Sequence, residues 1–218
     1  MIAKRAPYDM VLIVCEGEKT EPNYFKALIK HLKLNTANVT VADDTSGSSP
    51  INVVGTAIDL FDAAKKAKNP FDKVYCVMDR DQAPSYQKAI NKLEGQQTKK
   101  VPVPIKAITS VPCFEFWILL HYRYTTKDYY AGPGKVCNKV IADLRKYIPN
   151  YEKGDKGTFE DEYLKDKLEY AKDQAKKVSE DRKKLGIDEK LGTYNPYTEV
   201  HELVSHLQEL SHKKASSG

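Results

Sequence analysis

The residues best suited to chemistry are acids placed directly after apolar runs. VLIVC runs into Glu16-Gly17-Glu18, and VYCVM runs into Asp79-Arg80-Asp81. Side chains alternate along extended backbone, so Asp79 and Asp81 point the same way and Arg80 points opposite. Three carboxylates gathered at one edge repel one another unless a cation joins them. Mg2+ or Mn2+ suits such a set, because hard ions take carboxylates and leave positions for water and phosphate oxygens. An ion held in this way orients a phosphodiester, stabilises charge on it and activates a water. Glu16, Asp79 and Asp81 are therefore the candidate metal ligands, with Glu16 also a candidate general base. The plainer account of any one of them is an ordinary loop acid after a strand. Glu18 and Glu21 equally suit the start of a helix.

Other residues stand near this set. Lys19, in the turn after Glu16, either contacts a phosphate or leaving group or simply faces solvent. Arg80 either binds substrate phosphate with its two-pronged guanidinium or pairs with neighbouring acids. Glu115 lies in SVPCFEFW, among apolar neighbours. There it needs a partner or a metal, unless it only complements a helix N-terminus. His121 reads as a structural histidine. The tyrosines of HYRYTTKDYY either stack on unpaired bases or pack a helical lobe. No G-x-S-x-G elbow, Walker A loop or G-x-G-x-x-G occurs in the sequence, so serine hydrolase, P-loop and Rossmann chemistry lack their signatures.

The elements that must position these acids follow from periodicity. Strands are expected at Met10 to Cys15, Asn38 to Ala42, Lys73 to Met78 and Val103 to Thr109. Between them lie a helix carrying Tyr24, Phe25, Leu28 and Ile29, a second opened by Ser49-Pro50, and a third from Ser85 to Glu94; a fourth, CFEFWILLHYRY, follows the last strand. Four alternations of strand and helix predict an α/β fold with a mostly parallel four-stranded sheet flanked by helices. Ligands of such sheets bind beyond the carboxyl ends of the strands, where the acids stand. Residues 125–218 offer no convincing strand. They predict a long charged helix from Glu160 to Leu185 and a final helix from Thr198 to Leu210. The expected division is a core over 1–124, a helical charged lobe over 125–192, and a C-terminal helix within 193–218 that packs back on the core.

The chain has 218 residues and is 41% hydrophobic, enough to bury a core rather than remain disordered. No apolar run is long enough to span a membrane. The N-terminus lacks a secretory signal, which makes the cytoplasm the expected compartment. A net charge of +5 permits a nucleic-acid partner without demanding one. The four cysteines, in no C-x-x-C pair, read as free buried thiols.

VCEGEKTEPNYF, VYCVMDRD, SVPCFEFWILLHY and NPYTEVHELV, in this order and spacing, resemble the RloB family. Its members are associated with restriction and phage-defence loci and have a core similar to the Toprim domain. The resemblance implies that Glu16 is the Toprim glutamate of the first strand and that Asp79 and Asp81 are the D-x-D metal pair. Glu115, Lys19 and the Asn195-Pro196/Thr198 block are family features. The implied activity is a Mg2+- or Mn2+-dependent nuclease of antiviral defence, with Glu16, Asp79, Asp81, Lys19 and Glu115 catalytic and Arg80 and Lys19 binding substrate. Its substrate would be RNA, with tRNA a candidate and DNA left open. The alternative is a non-catalytic Toprim module that binds a partner ATPase.

Overall fold

A computed structural model describes residues 9–36, 38–43, 49–80, 85–100, 102–130, 136–154, 162–185 and 195–215. Its first half alternates as the sequence predicts. Strand β1 (Val11–Cys15) leads to helix α1 (Thr20–His31), β2 (Val39–Asp43) to α2 (Pro50–Lys66), and β3 (Lys73–Asp79) to α3 (Tyr86–Gln97). Strand β4 (Ile105–Val111) then leads to the short helix α4 (Glu115–Leu120). Ser49 is extended at the cap of α2 and Pro50 opens the helix, where a missing N–H costs nothing.

The sheet order is β2-β1-β3-β4-β5, where β5 (Tyr197–Thr198) is a two-residue strand. The first four strands pair in parallel, whereas β5 runs antiparallel to β4, with Val111 opposite Tyr197. The sequence expectation of no strand beyond residue 124 is thus corrected. Two residues are too few to show a period, and β5 exists through its partner. The Ser110 and Thr198 hydroxyls are 2.9 Å apart, and Glu199 Oε2 accepts a hydrogen bond from the Thr109 N–H at 2.8 Å.

Both faces of the sheet are covered, which explains the unbroken apolar runs. All five residues of β1 have no exposed surface. Leu12 and Val14 join Val53, Val54 and Ala57 of α2 and Ala89 and Leu93 of α3. Val11, Ile13 and Cys15 face the opposite layer, with Phe25 and Leu28 of α1 and Phe116 and Trp117 of α4. The second half of the chain adds α5 (Val136–Leu144), α6 (Glu162–Asp166), α7 (Leu168–Lys184) and α8 (Val200–Ala215). Helices α5, α7 and α8 contribute Val140, Leu168, Ala175, Leu203 and Leu207 to that same layer. The expected single helix from Glu160 to Leu185 is two helices in the described residues, separated at Lys167.

The cysteines require a further correction. Cys113 and Cys137 are joined by a disulfide, with Cα atoms 5.8 Å apart, while Cys15 and Cys76 are free and buried. Burial pushes the Cys76 thiol up to about 12, as an inert core residue requires.

Candidate metal-binding cleft

β1 passes to α1 and β2 on one side, and its other neighbour is β3. The gap between the carboxyl ends of β1 and β3 is therefore the topological switch point of the sheet, the usual place for a ligand. Glu16 and Asp79 meet there. The Glu16 N–H donates to the Val77 carbonyl at 3.0 Å, carrying the β1–β3 pairing one residue beyond the strand. The Asp79 N–H in turn donates to Glu16 Oε2 at 3.0 Å. Both acids are partly buried. One Glu16 oxygen is thus fixed by backbone, which sets the orientation of the carboxylate.

Gly17 makes the turn beneath a third acid. A Cβ at this position would sit 2.0 Å from Glu21 Oε2, so the Glu21 carboxylate takes this position because residue 17 has no side chain, and a substitution would push it aside. Glu21 belongs to the first turn of α1 and is 6% exposed.

The opposite wall comes from the segment after α5. Gly154 adopts φ +82°, a left-handed conformation that suits glycine. Its N–H donates to Thr20 Oγ1 at 2.9 Å, and its carbonyl accepts from Asn23 Nδ2 at 3.2 Å. A Cβ on Gly154 would meet the Lys19 Cβ at 2.7 Å, so the stem of Lys19 packs directly against it. These contacts bring Lys153 to the cleft, where its Nζ lies 3.2 Å from Glu115 Oε1. The Tyr151 hydroxyl donates to the same oxygen at 3.3 Å. The resulting cleft encloses about 510 Å3. Glu16, Glu21 and Asp79 line it with Lys19 and Lys153.

This crowding shifts proton affinities. Burial, then the charges of Glu21, Glu115 and Glu16, hold Asp79 well above the usual carboxylate range against the pull of Lys153. Burial, with Glu115 and Glu16, pushes Glu21 up to about 7, despite its backbone hydrogen bond and Lys153. Burial disfavours the charge on Lys153, but Glu115, Asp79 and Glu21 more than offset this and hold its pKa above the ordinary lysine value. Glu16, Glu18, Glu21 and Asp79 line the cleft with Lys19 and Lys153, and Glu115 adds a fifth carboxylate behind Lys153, so acids outnumber ammonium groups. A hard divalent cation matches that imbalance and the all-oxygen donor set, so the residues fit Mg2+ or Mn2+.

Glu16 and Asp79 come together, with Lys19 at the same cleft and Glu115 one contact behind it, through Lys153. Asp81 lies outside the described residues. Arg80 does not line the cleft: its guanidinium carbon stands 5.4 Å from the centre of the Tyr86 ring, towards α3. Among the described residues, the three-donor group close enough to hold an ion is Cys113, Glu115 and Cys137 rather than the strand-end acids. Its sulfurs are bonded to each other.

His121 is fully buried and accordingly neutral: burial lowers it to about 4. Its Nδ1 donates to the Trp117 carbonyl at 3.1 Å. The tyrosines divide: Tyr129 is buried and donates to Asp143, Tyr122 stacks on Tyr147, and Tyr130 is 66% exposed. Asn195 accepts from the Tyr129 N–H at 3.3 Å, tying the start of the C-terminal block to that region. Sequence reasoning missed Lys153, Gly154 and Tyr151, and gave Glu21 only a helix-capping part. The one signal for the first two was a lysine-glycine pair in a stretch rich in breakers.

No described helix is long and apolar enough to cross a membrane. Comparison with curated proteins and with solved structures returned no match. The model of the RloB-like protein family matches residues 11–207, nearly the whole chain and every element that builds the cleft, and the protein belongs to that family.

Proposed function

We propose that this protein is a divalent-metal-dependent nuclease with a Toprim-like site, cleaving RNA, with tRNA the first candidate, in antiviral defence. The observation that carries the proposal is the hydrogen bond from Asp79 to Glu16 at the β1–β3 switch point. It presents two carboxylates to one cleft that also contains ammonium groups able to meet phosphate.

Glu16 and Asp79 would hold the ion, with Asp81 as the third expected ligand. A bound Mg2+ or Mn2+ supplies charge neutralisation at the phosphodiester and lowers the pKa of a water. The chain's own residues do the rest. Lys153, kept protonated by its acidic neighbours, binds a non-bridging phosphate oxygen. Glu115 and Tyr151 hold Lys153 and its segment in place. Lys19, braced on Gly154, meets the phosphate backbone at the mouth of the cleft. Glu16 would accept a proton from the attacking water, its carboxylate oriented by the Asp79 N–H on Oε2. The net charge of +5 favours a polyanionic substrate. The preference for RNA rests on the resemblance to small Toprim effectors.

The test is to incubate the protein with tRNA, single-stranded DNA and plasmid, in Mg2+, Mn2+ or EDTA. RNA cleavage should require metal and fall by about a hundredfold or more in Glu16→Ala and Asp79→Asn, since each loses several kcal/mol of transition-state stabilisation. Equal activity in wild type and variants would sink the proposal. Metal binding without cleavage of any substrate would favour the ATPase-docking module instead.

A further inference from the structure

The Cys113–Cys137 disulfide lies outside the machinery just described, yet it touches that machinery through a single carboxylate. Cys113 stands two residues before Glu115, and Cys137 is in the first turn of α5. Their side chains are nearly enclosed, with 1% and 5% exposure. Cys137 Sγ is 2.9 Å from Glu115 Oε2. The other oxygen, Oε1, receives Tyr151 and Lys153. Glu115 thus has the sulfur pair on one oxygen and the cation of the cleft on the other.

We propose that Cys113 and Cys137 form a reversible dithiol–disulfide site whose redox state sets how tightly Glu115 holds Lys153, with small-molecule thiols as the reductant. In the exchange, one external thiolate attacks a protein sulfur and forms a mixed disulfide. A second external thiolate then displaces the protein thiolate. The protein gains two electrons and two protons, which end on Cys113 and Cys137. Two external thiols become one external disulfide.

The consequence follows from hydrogen count. A disulfide sulfur carries no hydrogen, so in the oxidised protein Oε2 receives no donor from Cys137, and Glu115 directs its charge to Tyr151 and Lys153. Reduction places a hydrogen on Cys137 Sγ within reach of Oε2. Glu115 then shares its charge with the thiol, and α5 is no longer tied to the turn between β4 and α4. Both changes loosen Lys153. Neither sulfur can serve as a thiolate ligand while the bond exists, so the trio is not a thiolate metal site in the oxidised protein. The catalytic meaning of a looser Lys153 rests on the proposed nuclease reading, but the test below does not.

The full chain is prepared after oxidised glutathione and after dithiothreitol, then alkylated under denaturing conditions and weighed. Two adducts are expected in the oxidised form, from Cys15 and Cys76, and four in the reduced form. In parallel, the acylation rate of Lys153 is measured by mass spectrometry, with exposed Lys88 as the internal reference. Reduction should raise the Lys153 rate about threefold or more relative to Lys88. Cys113→Ser, which cannot form the bond, should show the reduced rate with and without oxidant. The wild-type comparison needs no variant to fold. Four adducts after oxidant, or equal Lys153 rates in the two states, would overturn the proposal. So would stoichiometric zinc retained by the reduced protein, which would make the trio a metal site.

Discussion

Lys153 is the residue on which the electrostatics of the cleft turn. It is an ammonium group among Glu16, Glu21, Asp79 and Glu115, and it contacts the last directly. Replacing it with Met should raise KM for RNA by about tenfold, the worth of one charge-assisted hydrogen bond at a half-exposed site. The turnover number should change little, and Lys153→Arg should recover most of the loss. Steady-state kinetics on a defined RNA checks this; a pure kcat effect would give Lys153 a different part. Beyond a lysine-glycine pair in a stretch of breakers, nothing in the sequence tied Lys153 to the strand ends. Glu16 and Asp79 were legible because each directly follows the apolar run of a strand buried on both faces, and parallel strands end on one edge. Lys153 reaches that edge only because Gly154 adopts a left-handed conformation and bonds to Thr20 and Asn23. Such a tertiary contact leaves no periodic trace.

At the scale of elements, α4 shows how burial fixes protonation. His121, at its C-terminal end, is neutral in the fold, with burial lowering it from 6.5 to about 4. Between those values the unfolded chain binds a proton that the folded chain refuses. The contribution is fully present above pH 6.5 and lost as pH falls towards 4, to a total of about 3 kcal/mol. His121→Phe should therefore flatten the acid limb of stability relative to wild type, read from urea melts across that range. Parallel limbs would contradict the buried neutral state. The disulfide acts on a neighbouring element. It closes a loop over a separation of 24 residues, which in the chain-entropy account stabilises by about 3 kcal/mol. Reduction should lower the melting temperature accordingly, and an unchanged temperature would mean that the bond constrains little. The cysteine pairing was not legible because no spacing motif marks it and the two partners meet only when α5 packs beside α4. β5 was hidden for the same reason: its two residues become a strand through Ser110 and Val111.

For the whole molecule, the layered sheet both builds the cleft and imposes its cost. Asp79 and Glu21 are raised above ordinary carboxylates, Glu21 to about 7. Without metal, the folded state binds more protons than the unfolded one from the ordinary carboxylate range up to about 7. These two groups therefore subtract stability as pH rises through that window. A bound cation should remove that penalty. The gain in melting temperature on adding Mg2+ should be small at about pH 5 and larger at about pH 8; an equal or smaller gain at the higher pH would argue against ion binding among these acids. The central claim, that Glu16 and Asp79 share a divalent ion at the β1–β3 switch point, is tested most directly by anomalous diffraction from Mn2+-soaked crystals. A manganese peak ligated by Glu16 and Asp79 beside Lys153 is the expected result. A cleft without a peak at full soak, or a peak held away from both carboxylates, would contradict it.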